Sequence, residues 1–354
     1  MQRPPLGSSR SMTALAGRIA AVAAAVLVTW PGHARADAAG PTDYQSVIVA
    51  IVPAAPQLHA SIVGGDSFLL LRVDPGTEVE VLGYRSEPFI RFLGDGTVQE
   101  NRSSASYVTS RSRSGSGLPD DFVDGAPPAW HTVATNGEYA WHDHRTHWMT
   151  DTRPPGKRPG DVVQREDVPL LVDGAPVVIS IESVWRPAAS SLPMWFGAAV
   201  GLAAGVMAAG RGRMRWRTLP ALDVAVLAAI VGWWQYRSLP AETGPLPTWF
   251  GLPLIATLAL VGATAIAMSG RSASLTRVGL MLLAGVNLTL WGWMRRAGLT
   301  HAILPTNAPG WLDRFASSAA LAAGAGLTVA GLATLATTIA SPAAELPATS
   351  SPTS

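Results

Sequence analysis

The fold class this sequence predicts is β plus membrane α: an extracytoplasmic antiparallel β-sandwich followed by a five-helix transmembrane region. Three observations predict it. The N-terminus has the layout of a secretory signal peptide. Residues 44–185 carry short apolar or alternating runs broken by Gly, Pro and Asp. After Pro187 the apolar residues gather into five long segments.

At the N-terminus Arg3, Arg10 and Arg18 precede an apolar run from Ile19 to Trp30 and then the small-residue site Ala34-Arg35-Ala36. The run is short for a membrane span and a cleavage site follows it, so residues 1–36 read as a signal peptide whose removal leaves Asp37 first.

Residues 37–187 read as the β domain. Ser46 to Val52, Phe68 to Val73, Glu78 to Tyr84 and Phe89 to Leu93 have the composition of strands. Gly94-Asp95-Gly96 predicts a hairpin between Phe89–Leu93 and Thr97–Glu100. Asp173-Gly174 predicts another between Val168–Val172 and Val177–Val184. No helical period of useful length interrupts these runs, which favours a sandwich. Asn101 to Gly117, rich in Ser and Arg, reads as a solvated loop, as does the Pro-rich stretch Thr152 to Gly160.

Residues 188–341 hold the spans, expected at about 192–210, 219–236, 248–269, 277–294 and 315–340. If the β domain is exported, the first span runs inward. Arg211, Arg213, Arg215 and Arg217 then face the cytoplasm, as do Arg271 and Arg277, which is the positive-inside pattern. The same topology places Trp195, Trp233, Trp234, Trp249, Trp291, Trp293 and Trp311 at outer span ends, where indole favours the interface. Arg237, Arg295, Arg296 and Arg314 also fall outside and run against the charge pattern. The Ser-, Thr- and Pro-rich residues 342–354 read as a disordered cytoplasmic tail. The expected location is the plasma membrane, multi-pass.

Composition removes several functions. Asp37 to Pro187 contain 12 basic and 20 acidic residues, so the β domain should repel nucleic acid. With no cysteine there is no disulfide framework, thiolate metal site or cysteine nucleophile.

One segment is dense in ligands: Tyr139-Ala140-Trp141-His142-Asp143-His144-Arg145-Thr146-His147-Trp148-Met149. On an extended strand, residues two apart share a face, so His142 and His144 would project together about 6 to 7 Å apart. A bend near Arg145-Thr146 is needed to bring His147 round as a third ligand. Imidazoles suit copper, zinc or nickel, and Met149 offers a soft donor to cuprous copper. Asp143 is the segment's carboxylate. The competing structural reading pairs Asp143 with Arg145, packs the aromatics into the core and leaves the histidines as hydrogen-bonded scaffold.

The other candidates carry less. His59 and His131 are lone histidines that could add a ligand. Asp120, Asp121 and Asp124 lack the spacing of a calcium loop and read as a solvated acidic turn. Gly64-Gly65-Asp66 is a turn before a strand, without the following helix a phosphate cradle needs. Asp223 and Asn287 are the polar exceptions within the spans, too few for a transport pathway.

The histidine segment, with Pro127-Pro128-Ala129-Trp130, Gly64-Gly65-Asp66-Ser67-Phe68-Leu69 and Pro75-Gly76-Thr77-Glu78-Val79, resembles a group of largely uncharacterised actinobacterial membrane proteins. In layout the chain is also similar to bacterial copper-resistance proteins, which join an exported β-sandwich to membrane helices. That resemblance implies copper as cofactor. Those sandwiches commonly use an N-terminal histidine as ligand, whereas Asp37 is expected here, so the copper expectation falls on His142, His144 and His147. The leading expectation is a non-enzymatic membrane protein that binds a transition metal, copper favoured, for tolerance, delivery or sensing. The alternative is a cell-envelope scaffold that binds a protein or lipid partner without metal. An enzyme ranks third, because no carboxylate stands at the spacing of a general base.

Overall fold

The computed structural model describes residues 39–111, 113, 117–150, 152–210, 216–270 and 275–340. The expected signal peptide, the C-terminal tail and Arg211, Arg213, Arg215 and Arg271 lie outside the described residues. The chain divides into two compact units, one of Met1–Pro187 with Leu239–Pro245 and one of Ala188–Ser238 with Leu246–Ser354.

Among the described residues the first unit holds ten strands: β1 (Tyr44–Val52), β2 (Leu58–Val63), β3 (Phe68–Val73), β4 (Val79–Leu82), β5 (Pro88–Phe92), β6 (Val98–Asn101), β7 (Trp130–Ala134), β8 (Glu138–His142), β9 (Val162–Val172) and β10 (Ala175–Trp185). Seven form one sheet in the order β1-β10-β9-β4-β5-β6-β7, and β2-β3-β8 form a second; every pairing is antiparallel. Alternation decides which face is buried. Val168, Leu170 and Val172 of β9 and Val177, Ile179 and Ile181 of β10 point inward and meet Leu69, Leu71 and Val73 of β3 in one core.

Both predicted hairpins form. Asp173 and Gly174 have φ of 48° and 78°, the two positive values that a tight two-residue turn requires and that Asp and Gly tolerate best. Three strands escaped the sequence reading as separate elements: β2, β7 and β8, which ends at His142. Asn101–Gly117 is corrected in part. It contains a short helix, α1 (Ala105–Thr109), capped by the Ser104 hydroxyl, with Ser104, Ala105 and Ser106 buried. Here serine hydroxyls replace apolar burial: Glu87 accepts from the Ser104 and Ser106 hydroxyls at 2.8 and 2.7 Å and from the Ser106 amide at 2.9 Å.

The second unit consists of α2 (Leu192–Ala209), α3 (Leu219–Arg237), α4 (Thr248–Met268), α5 (Leu275–Met294) and α6 (Gly310–Ala340). All five are long and apolar enough to cross a membrane, and the chain is an integral membrane protein. Large apolar side chains such as Leu202, Leu258 and Val329 remain on the outer, lipid-facing surface. Small residues bring the backbones together. Gly197, Gly201 and Gly205, four apart on α2, lie against Phe315, Ala319 and Ala323 of α6, and a methyl at Gly201 would collide with the Ala319 carbonyl.

Trp195, Trp233, Trp234, Trp293 and Trp311 are exposed and Trp249 is partly so, at helix ends that consecutive crossings place on one side. Trp291 departs from the expectation: it is buried in the bundle, where its indole N–H donates to Trp249 O. Arg295 departs too. It is buried against Asp313, Gln235 and Ser317 and lies over the Trp291 ring at 4.7 Å. Arg237 and Arg296 lie over Trp233 and Trp293 at 6.0 and 4.4 Å, and Arg314 donates to His301 O and Ala302 O. Each arginine that ran against the charge pattern thus has a local structural partner.

Candidate metal centre

Strand β8 pairs with β3 as far as Phe68 opposite His142, and there the ladder stops. The next residue, Asp143, is extended, and its carboxylate accepts from the Arg145 amide at 3.0 Å. This is the N-capping geometry that Asp favours, and it starts a 3-10 turn over His144–Thr146. The guanidinium of Arg145 then closes back on the same carboxylate through two bonds of 2.8 and 2.7 Å, and the Trp141 indole donates to it at 3.0 Å. Thr146 pins the far end of the turn: its carbonyl accepts from Ser46 of β1, and its hydroxyl lies 2.8 Å from Asp66 O. The chain therefore reverses, and His147 returns toward His142.

Side-by-side projection of His142 and His144 from one strand does not occur, because His144 opens the turn. The bend at Arg145-Thr146 does occur, and it gathers all three rings. Their centroids stand 5.4 Å (142 to 144), 4.8 Å (142 to 147) and 5.5 Å (144 to 147) apart. One ligand nitrogen from each ring lies within 4.8 Å of those of the others. Nε2 of His142 and Nε2 of His147 are 3.0 Å apart.

That contact needs one proton. His147 donates Nδ1–H to Trp148 O at 3.2 Å, so its Nε2 is the acceptor and His142 carries the proton between the rings. Nδ1 of His142 is buried with no hydrogen-bond partner among the described residues, so the bond to His147 alone sets that ring's tautomer.

His142 and His147 are 4% and 0% exposed, and that burial sets their protonation. Desolvation, reinforced by the two neighbouring rings, pushes His142 down to about 3. Desolvation and the Arg113 cation push His147 down to about 4. Both rings are therefore neutral, with lone pairs available, throughout the physiological range. Burial alone would raise the Asp143 carboxyl, but Arg145 overrides it and holds the group below the ordinary range.

The surrounding groups come from distant parts of the chain. Phe68 meets His142 edge-on at 5.9 Å, and Tyr84 stacks on His144 at 5.7 Å while its hydroxyl accepts from the His144 amide at 2.9 Å. Asp66, fully buried in the turn after β2, takes Arg113 at 2.6 Å and Thr42 at 3.1 Å. A cavity of about 240 Å³ is lined by His142 with Phe68, Tyr107, Tyr139 and Glu242. Glu242, from the Leu239–Pro245 segment, accepts from the Ala140 amide at 3.0 Å and so occupies the free edge of β8.

The remaining candidates stand as follows. Asp143 sits within the histidine segment, and both its oxygens are used by Arg145 and Trp141. Met149 is partly buried two residues beyond His147. His59 is paired with Asp74 at 2.9 Å, and His131 is exposed on β7. Asp120, Asp121 and Asp124 are exposed, with Asp124 bound by Arg85. Asp223 is exposed on α3, and Asn287 donates to Leu283 O within its own helix. Sequence reasoning passed over Asp66, Tyr84 and Arg113 as parts of this site. Comparison with family models, curated proteins and solved structures gives no match to this chain.

Proposed function

We propose that the β unit carries a transition-metal site on the outer face of the plasma membrane, with His142, His144 and His147 as ligands and copper as the metal. The observation that carries the reading is the convergence of three imidazole nitrogens within 4.8 Å of one another. Two nitrogens on a tetrahedral ion at 2.0–2.1 Å stand about 3.3 Å apart, close to the 3.0 Å separation of the two Nε2 atoms here. A metal takes the place of the proton between those rings, and the proton of His142 moves to its free Nδ1.

Protons do not compete for these ligands near neutral pH, because His142 and His147 are held down at about 3 and about 4. Copper is favoured because imidazole suits it and because Met149, the nearest soft donor along the chain, suits its cuprous form. The resemblance in layout to copper-resistance proteins favours the same metal. Asp143 serves in positioning: bound to Arg145, it sets the turn that delivers His147. The role is binding for tolerance, delivery or sensing, with no base placed for catalysis by Asp143. The outward orientation draws on the tryptophan-bearing helix ends and on Arg217 at the opposite end of the second span.

Metal titration of the full chain in detergent tests this. Binding that falls by about 100-fold or more in His142→Ala and in His147→Ala supports the site. Binding that is absent, or indifferent to both changes, returns the segment to a scaffold role.

A further inference from the structure

A metal-bound imidazole is neutral, so charge balance at this centre falls to the groups around it. Those groups are already paired off. Asp143 is held by Arg145 through both oxygens, and Asp66 by Arg113 at 2.6 Å. The adjoining walls are aromatic, with Phe68 against His142 and Tyr84 stacked on His144. The Arg113 cation disfavours positive charge at both His142 and His147. The chain has no cysteine to supply a thiolate.

The cost of placing an ion in a low-dielectric site grows with the square of its charge, roughly fourfold from a monocation to a dication. A dication would also feel Arg113 twice as strongly. Geometry points the same way. The three centroids form a nearly equilateral triangle, and among the described residues no fourth His, Cys, Asp or Glu joins the group. Zinc on three histidines takes a water as its fourth ligand, which a site walled by Phe68 and Tyr84 has to admit. Closed-shell cuprous copper accepts three-coordination and imposes no geometry of its own.

We infer that the three-histidine centre selects a monovalent ion, cuprous copper, over divalent copper and zinc. This rests on the reading of the triad as a metal site and goes further by fixing the charge of the ion it takes.

The test uses the metal-free full chain in detergent, titrated separately with Cu(I) under anaerobic competition from a chromogenic chelator, with Cu(II) and with Zn(II). One Cu(I) per chain, held at least about tenfold more tightly than either dication and lost in His147→Ala, is the expected result. Arg113→Gln should narrow that preference, because removing the cation helps a dication more. Cu(II) or Zn(II) bound as tightly as Cu(I), at a site that His147→Ala abolishes, overturns the inference and leaves the metal site standing. A chain that binds none of the three ions, or binds them regardless of His147, overturns the metal site itself and the inference with it.

Discussion

In the helical unit, Arg295 donates to Asp313, Gln235 and Ser317, the Ser317 hydroxyl donates to Asp313 at 3.4 Å, and the guanidinium covers Trp291. In the β unit, three imidazoles face one another; a single proton bridges two of them, and Nδ1 of His142 has no partner among the described residues. Both clusters are buried, and both gather residues from separate parts of the chain. The first is closed: cation meets anion, and the donors find acceptors. The second is open, because neutral rings present lone pairs to a shared point and the adjacent charges are engaged elsewhere. Burial of polar groups alone does not separate a structural cluster from a binding one. Charge compensation within the cluster does, since an uncompensated set of lone pairs is what a cation would fill.

The largest expected effect comes from breaking the closed cluster. Asp313→Ala strips the compensation from a buried guanidinium and should destabilise the helical unit by about 3 to 5 kcal/mol, read as unfolding of the purified protein in detergent. Arg295→Met combined with Asp313→Leu should cost less than Asp313→Ala alone, because no charge is left stranded. A double variant as unstable as the single would mean that the cluster is not held together by charge compensation.

The open cluster should respond to an added ion instead. Metal at about 100 times its dissociation constant should stabilise the wild-type protein by about 2.7 kcal/mol, and His147→Ala should remove that increment. Without metal, His147→Ala should change stability far less than Asp313→Ala does. Equal losses in the two metal-free variants would erase the distinction between closed and open.

Much of the fold was legible in local sequence, and the reason is the range of the interactions. Asp173-Gly174 encodes its hairpin within two residues, and the five spans announce themselves by length. The burial of Trp291 could also have been read: Met281, Ala284, Leu288 and Trp291 recur at the helical period and mark the inward stripe of α5. Gly197, Gly201 and Gly205 likewise carry a close-packing spacing. Within the site, the bend that recruits His147 has a local cause in Asp143, the cap of the turn. The walls do not. Asp66 and Arg113 meet across 47 residues and Tyr84 meets His144 across 60, so nothing near the histidines specifies them. Arg113 lies in a stretch whose lack of apolar residues suggested a solvated loop, yet a side chain can be recruited by a buried carboxylate as well as by a hydrophobic core.

Protonation offers a gentler probe of the open cluster. His142 and His147 titrate at about 3 and about 4 in the folded protein, below the ordinary 6.5. Above 6.5 neither the folded nor the unfolded chain binds those protons, and the rings impose no penalty. As pH falls below 6.5 the unfolded chain takes up protons that the folded chain refuses, so stability is lost on acidification, by roughly 1 kcal/mol for each ring between pH 7 and 5.5. Thermal unfolding of the metal-free protein across that window should show the decline, and His142→Phe should roughly halve it. A wild-type profile without slope would place those rings in water rather than in the packed site.

The smallest effect belongs to a pair that is closed but not buried. Arg165 and Glu182 bridge β9 and β10 at 2.7 Å, with the arginine side chain 71% exposed. Water already solvates the guanidinium there, so it is not left stranded when its partner goes. Glu182→Gln should therefore cost less than about 1 kcal/mol, and added salt should shrink even that. Set beside Asp313→Ala, this variant isolates the variable that matters: the same ion-pair chemistry is expendable in water and indispensable where desolvation is complete. A loss from Glu182→Gln comparable to that from Asp313→Ala would show that pairing itself, rather than compensation of a desolvated charge, sets the energetics, and the contrast between the two buried clusters would then need a different cause.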